Sequence, residues 1–177
     1  MEYARLARLY DALESTSKRL KKTALISEFL KSAPSGSLEH VLLLLQGRVF
    51  PAWDRRVLGL SEKLLVKAIG MASGASESKI MDEWRKIGDI GRVAEALIAN
   101  KSQATLFSTP LTIAHVFSSF QKIAATEGLK STDAKLKIVA GLLSDAKGIE
   151  ARYVVRTVIH DLRIGVAEGT LRDAIVW

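Results

Sequence analysis

An all-α fold is what this sequence predicts, and three observations carry the prediction. Apolar residues recur at three- and four-residue spacing along nearly the whole chain. Strict alternation of apolar and polar residues, the mark of half-buried strands, is hard to find, and only three prolines interrupt 177 residues. Third, one phrase occurs twice. Leu58-Gly59-Leu60-Ser61-Glu62, followed by Leu65, Ala68 and Ile69, returns as Ile164-Gly165-Val166-Ala167-Glu168, followed by Leu171, Ala174 and Ile175. Each copy reads as a tight glycine turn that feeds a helix N-terminus, so a multi-helix domain with an internal repeat is expected.

The elements follow in order. Tyr3, Leu6, Ala7, Tyr10 and Leu13 form one apolar stripe; after the polar Ser15-Thr16-Ser17, a second stripe is expected from Leu20, Ala24, Leu25 and Phe29. Past Pro34-Ser35-Gly36, residues 38–46 are apolar nearly all round, which predicts a central buried helix. Residues 47–54 read as a loop carrying Phe50, Pro51 and Trp53, and the first repeat copy follows. Ser76 is placed to cap a helix through Ile80, Trp84 and Ile87 that stops at Gly88, and Asp89 to cap a short one through Val93, Ala94 and Leu97.

A polar, non-periodic stretch covers residues 100–109, where Thr109-Pro110 predicts a helix start, a hydroxyl cap followed by proline. That helix uses Ile113, Phe117, Phe120 and Ala124 and ends near Gly128. Ser131 is expected to cap the next, with Leu136, Val139, Ala140 and Leu143 inward, and the last long helix, over residues 149–162, to bury Tyr153 and Ile159. The chain stops at Ala174-Ile175-Val176-Trp177, inside an apolar helical pattern, which predicts a piece of a longer protein.

Charge narrows the function. A formal net charge of +7 on an otherwise ordinary globular composition calls for an anionic partner. Paired helix N-termini on such a protein, each with unpaired N–H groups and a partial positive charge, are a natural grip for phosphates. The absence of cysteine removes disulfides, thiolate metal sites and cysteine nucleophiles. His40, His115 and His160 are scattered without metal-ligand spacing. The longest unbroken run of large apolar residues, 41–45, is far below the ~18 residues of a bilayer span, and no signal-peptide core opens the chain. A soluble, intracellular monomer with no membrane partner is expected.

Three ordered segments go further. Pro51-Ala52-Trp53-Asp54 runs on to Leu58-Gly59-Leu60. Lys86-Ile87-Gly88-Asp89-Ile90-Gly91-Arg92-Val93-Ala94-Glu95 follows, and then Glu150-Ala151-Arg152-Tyr153-Val154-Val155-Arg156 leads into Leu162-Arg163-Ile164-Gly165-Val166-Ala167-Glu168. On these the chain resembles, over nearly its whole length, the N-terminal DNA-binding domain of archaeal and eukaryotic ATP-dependent DNA ligases. The resemblance implies one all-helical DNA-binding domain over residues 1–177 with an internal pseudo-two-fold, which holds nicked duplex DNA across the minor groove. It also implies that the adenylation and OB-fold domains lie outside this fragment. The nucleotide-accepting lysine of that family sits in a K-x-D-G motif, and no such string occurs here. The fragment is therefore expected to hold no catalytic residue and no cofactor, with ATP and Mg2+ serving the parent enzyme in replication and repair. The cytoplasm of an archaeal-type cell, or the nucleus of a eukaryote, is the expected location.

A ligase accepts any sequence at a break, so its holding contacts are expected on phosphates and sugars, which position without reading bases. Gly59 and Gly165 let backbone amides approach the strand, with Leu60, Ser61 and Ala167 beside them and Arg56 and Arg163 just before as charge partners. Carried over from the resemblance, Gly88, Gly91 and Arg92 form a second DNA-facing turn, and Lys130, Ser131, Thr132 and Lys135 a third. Glu62 and Glu168 read as first-turn helix stabilisers facing away from DNA. The Lys18-Arg19-Lys21-Lys22 cluster reads as a solvated helix face, and Trp53 and Trp84 as core packing rather than base stacking.

Gln103-Ala104-Thr105-Leu106-Phe107 is similar to the short sliding-clamp motif of archaeal replication proteins, with Gln103 hydrogen bonding and Leu106 and Phe107 filling an apolar pocket. Core packing of Leu106 and Phe107 is the alternative. For the whole chain, two other readings stand beside the ligase domain: a helix-hairpin-helix DNA-repair glycosylase, which needs a catalytic Asp or Lys in a base pocket, and a helical scaffold that binds only protein.

Overall fold

Ten α-helices and one 3-10 turn account for the regular structure of the described residues, 1–100, 109–128 and 131–177, in the computed structural model of the chain. They are α1 (Tyr3–Glu14), α2 (Arg19–Ser32), the 3-10 turn Ser35–Ser37, α3 (Leu38–Leu45), α4 (Glu62–Ser73), α5 (Glu77–Ile87), α6 (Ile90–Ala99), α7 (Ile113–Ala125), α8 (Ser131–Asp145), α9 (Gly148–Val158) and α10 (Glu168–Val176). The only β-type pairing among these residues is a single bridge between Glu2 and Thr112. No helix among them is long and apolar enough to cross a membrane.

Local chemistry sets several boundaries where the sequence places them. The Lys79 amide donates to Ser76 Oγ at the start of α5, and Gly88 ends that helix in the left-handed conformation. Asp89 Oδ1 then accepts from the amides of Gly91 and Arg92, which starts α6. The start of α7 differs from expectation. Thr112, not Thr109, caps it, accepting from the His115 amide. The Tyr3 amide donates to the Leu111 carbonyl at 2.8 Å and that of Ile113 to Met1 at 3.0 Å, so the chain is held extended beyond Pro110 and turns helical only afterwards. At the other end, α9 stops at Val158 rather than running to residue 162, because His160 and Arg163 adopt left-handed backbone.

Packing reassigns two faces. α1 buries its expected stripe. α2 is turned: Lys22, Thr23, Ile26 and Ser27 face inward, while Leu20 is 70% exposed and Ala24 is also exposed. A lysine can take the inward face because backbone carbonyls of a distant segment receive its ammonium, which apolar periodicity cannot register. Likewise α3 is peripheral, burying only Val41, Leu44 and Leu45. The central helix is α9, in which Glu150, Ala151 and every residue from 153 to 158 are buried.

α9 lies closest to α6, and two glycines make the approach possible. A Cβ on Gly91 would stand 2.8 Å from Arg156 Cγ and 3.0 Å from the Arg152 carbonyl oxygen; one on Gly148 would stand 3.0 Å from Ala99 Cβ. Gly91→Ala should therefore cost about 1–3 kcal/mol through overpacking against backbone that cannot yield. A urea unfolding midpoint equal to the parent's would show that the helices have room to separate.

Candidate functional site

The two repeat copies fold into matching corners. Gly59 has φ 62° and Gly165 φ 57°, the left-handed region that glycine enters without strain. The residue before each, Leu58 or Ile164, is buried and anchors the turn, while Leu60 and Val166 are half-buried. Ser61 and Ala167 are extended, and α4 and α10 begin at Glu62 and Glu168 with no side chain capping either one. Leu65 with Leu171 and Ala68 with Ala174 fill equivalent core positions; the match ends at Ile69, which is buried, against Ile175, which is 58% exposed.

Both corners open onto a row of three concavities that share lining residues, here called the trough. Gly59 and Lys135 line its first stretch with Asp54, Arg55, Arg56 and Glu127. Asp54 and Arg56 also line the middle, with Arg48, Phe50 and His160. Arg48 and His160 in turn line the last stretch, which reaches Arg163 and Gly165. Exposed glycine corners thus stand at the two ends of a concavity edged by Arg48, Arg55, Arg56 and Arg163. Arg56 is held in place: its Nε donates to Asp54 Oδ2 at 3.0 Å, and its guanidinium lies 3.7 Å from the centroid of the Phe50 ring. The same hydrogen bonds from Arg56 keep the Asp54 carboxyl below its ordinary pKa.

Arg163 is oriented by Asp161, at 2.7 Å from its Nε, and by Asp89, at 3.3 Å from its Nη1. Asp89 is the hub of a buried ionic network. Arg156, 1% exposed, donates to Asp89 Oδ2 and to both carboxylate oxygens of Glu14 at 2.7 and 3.1 Å. Arg152 pairs with Glu95 and Asp11, Tyr153 Oη donates to Glu14, and Arg92 approaches Glu14 at 3.3 Å.

Hydrogen bonding from Arg156 outweighs desolvation and holds Glu14 down at about 2. Burial pushes the Asp89 carboxyl up, but hydrogen bonds from Arg156 and the Arg92 amide win, and it titrates below its usual range. Burial would lower Arg156, but Glu14 and Asp89 raise it on balance. Three segments quoted above meet here: Asp89 from residues 86–95, Arg152 and Arg156 from 150–156, and Arg163 from 162–168.

The expected contact residues are distributed as follows. Arg56, Gly59, Leu60, Ser61 and Lys135 gather at the first corner, and Arg163, Gly165 and Ala167 at the second. Ser131 and Thr132 open α8, one turn before Lys135. Gly88 and Arg92 lie at the α5–α6 joint, both exposed, and reach the second corner through Asp89. Gly91 corrects expectation: it is buried under α9 with its amide given to Asp89, so it serves helix packing and offers nothing to a ligand. Lys22 also departs from its cluster, being 7% exposed rather than solvated.

Trp53 is 81% exposed and so is not core, whereas Trp84 is half-buried. His40 packs on Phe117 with ring centroids 4.0 Å apart. Among the described residues no group of His, Asp and Glu is placed to hold a metal ion. Lys130, Gln103, Leu106 and Phe107 lie outside the described residues. Of the network, Arg92 and Arg163 are among the contacts expected from the sequence, whereas Arg152, Arg156 and Glu14 are not, nor is Arg48 at mid-trough. The i, i+4 spacing of Arg152 and Arg156 on a helix that also carries Tyr153, Val154, Val155 and Val158 is the signal available in the sequence.

Comparison with known proteins matches residues 2–176 to the family model described as DNA ligase N terminus. The chain is 47% identical over 175 residues to the DNA ligase of Methanobrevibacter smithii, covering 99% of the chain and 32% of that protein. It is 47% identical over 173 residues to the DNA ligase of Methanothermobacter thermautotrophicus, covering 98% of the chain and 31% of that protein. Against the DNA ligase of Thermococcus fumicolans it is 45% identical over 175 residues, 99% of the chain and 31% of the relative. The chain thus spans about a third of the length of these curated relatives.

Proposed function

The chain belongs to the DNA ligase N-terminus family, and from that premise we propose that it grips nicked duplex DNA by its sugar-phosphate backbone, across the minor groove, as the DNA-holding domain of an ATP-dependent ligase. The family match sets aside the glycosylase and scaffold readings. The observation that carries the proposal is the pair of matching glycine corners at the two ends of one arginine-edged trough. At each corner the missing Cβ and the uncapped helix start bring backbone amides to the surface, where a phosphate oxygen accepts them and the helix dipole favours its charge. Arg56 and Arg163 are already oriented by their carboxylate partners, so little side-chain entropy is lost when phosphates arrive. No base-reading element is required, which suits an enzyme indifferent to sequence.

In this reading the sealing chemistry, with ATP and Mg2+, belongs to the remaining two-thirds of the parent enzyme. Docking on a sliding clamp through Gln103, Leu106 and Phe107 rests on the sequence motif alone. Fluorescence anisotropy of a labelled nicked duplex, titrated at two salt concentrations, tests the grip. Four phosphate contacts give a log-log slope near −3.6, so affinity should fall by roughly 10²-fold between about 50 and 200 mM salt. Salt-insensitive binding, or affinity that tracks base sequence, would overturn the proposal.

A further inference from the structure

We infer that Lys22 and Lys135 are matched phosphate ligands, one at each glycine corner, and that Lys22 is the counterpart of Lys135 in the second copy. The inference deepens the backbone-grip reading above and rests on it. The construction is the same at both corners. Lys135 Nζ donates to the carbonyl of Leu58 at 3.1 Å; Lys22 Nζ donates to the carbonyl of Ile164, the residue equivalent to Leu58, at 2.6 Å and to that of Gly165 at 2.9 Å. The helices that deliver them also correspond. Lys22 is in the first turn of α2 and is followed by Ile26 and Ser27 on the buried face; Lys135 is near the start of α8 and is followed at the same spacing by Val139 and Ala140. α2 covers α10, and α8 covers α4.

Charge balance points to an anion. Both ammoniums are held by carbonyl oxygens, and neither pairs with a carboxylate among the described residues. Of the two acids that share Lys135's concavity, Asp54 pairs with Arg56 and Glu127 makes no ion pair to the lysine; on α10, Asp173 pairs with Arg19. A lysine that is 7% exposed with only neutral acceptors bears a desolvation cost that a full negative charge would offset. Donors are available, since Lys22 uses two of its three N–H groups and Lys135 one.

The glycines leave the way open. A Cβ on Gly165 would stand 2.6 Å from Lys22 Nζ, and one on Gly59 would stand 3.2 Å from Lys135 Nζ. Each ammonium therefore lies behind its exposed glycine, next to the uncapped start of α10 or α4. A phosphate on the corner meets helix amides and a lysine together, from a side chain that the sequence places on a solvated face.

Lys22→Met and Lys135→Met keep the stem and remove the charge. In anisotropy titrations on nicked duplex, each should weaken binding about tenfold and flatten the log-log salt slope by about 1, and the double variant by about 2. Lys22→Arg should restore most of the slope. If the parent shows the steep salt dependence and Lys22→Met keeps it, Lys22 is a fold latch only and the inference fails while the grip reading stands. If the parent itself binds without salt dependence, the grip reading fails and this inference with it. Should Lys22→Met not fold, the 15Nζ signal of Lys22 in the parent, assigned by its loss in Lys22→Arg, must shift on addition of nicked duplex; an unmoved signal overturns the inference.

Discussion

Arg156→Met should lower the free energy of unfolding by about 3–5 kcal/mol, the range for breaking a buried ion pair from one side. Methionine fills much of the arginine's volume, so the loss is electrostatic: Glu14 and Asp89 stay in place while their shared cation is gone. Denaturant unfolding measures the loss, and a change below about 1 kcal/mol would show that Arg92, Arg152 and Arg163 suffice to neutralise the two acids.

The pH dependence has a definite sign. Glu14 is held at about 2 in the folded protein, below its ordinary 4.5, so the unfolded chain takes up its proton first as the solution is acidified. The stability it contributes is complete above about pH 4.5 and is lost as pH falls through about 2. Asp89 is shifted in the same direction. Glu150 runs the other way, raised chiefly by burial, and softens the acid loss without reversing it. In Arg156→Met the acid slope should flatten, because the group that holds both carboxylates down has been removed.

Gly165→Ala should weaken nicked-duplex binding by at least tenfold, whereas Gly74→Ala should leave it unchanged. Both glycines have positive φ, 57° and 76°, so alanine at either site incurs a similar backbone strain of about 1–2 kcal/mol. They differ in what the new methyl group meets. At Gly74 it finds nothing within 4 Å; at Gly165 it stands 2.6 Å from Lys22 Nζ and displaces the ammonium from the corner. Gly165→Ala should therefore melt at or below the temperature of Gly74→Ala, since the displaced ammonium also gives up its two carbonyls, and it alone should lose DNA affinity. Equal affinities for both variants would mean that the second corner is mere helix punctuation.

What was legible in the sequence was whatever depends on neighbours in the chain. Ser76 and Asp89 cap helices through amides within three residues of themselves, and the glycine corners recur because each turn is specified by its own five residues. Misread features have distant partners. Lys22 reads as solvated because its acceptors lie 142 and 143 residues away, and the inward face of α2 is hidden with it. Arg156 is neutralised by Glu14 and Asp89, which are 142 and 67 residues distant, so a helix rich in charge became the centre of the fold and the oilier α3 did not. Among the site residues, exposed positions around each turn could be named, but the burial of Gly91 follows only from how closely α6 meets α9.

The crossed arrangement, in which each half of the chain lends a helix to the other half's corner, bears on biogenesis. The second corner is complete only when residue 22 has found residue 164, 142 residues further along the chain. Such long-range closure is slow and comes late in folding. On the proposed reading, a chain in which residue 22 has not yet met residue 164 therefore carries the basic residues without the second corner, and its grip on phosphate there awaits that one contact.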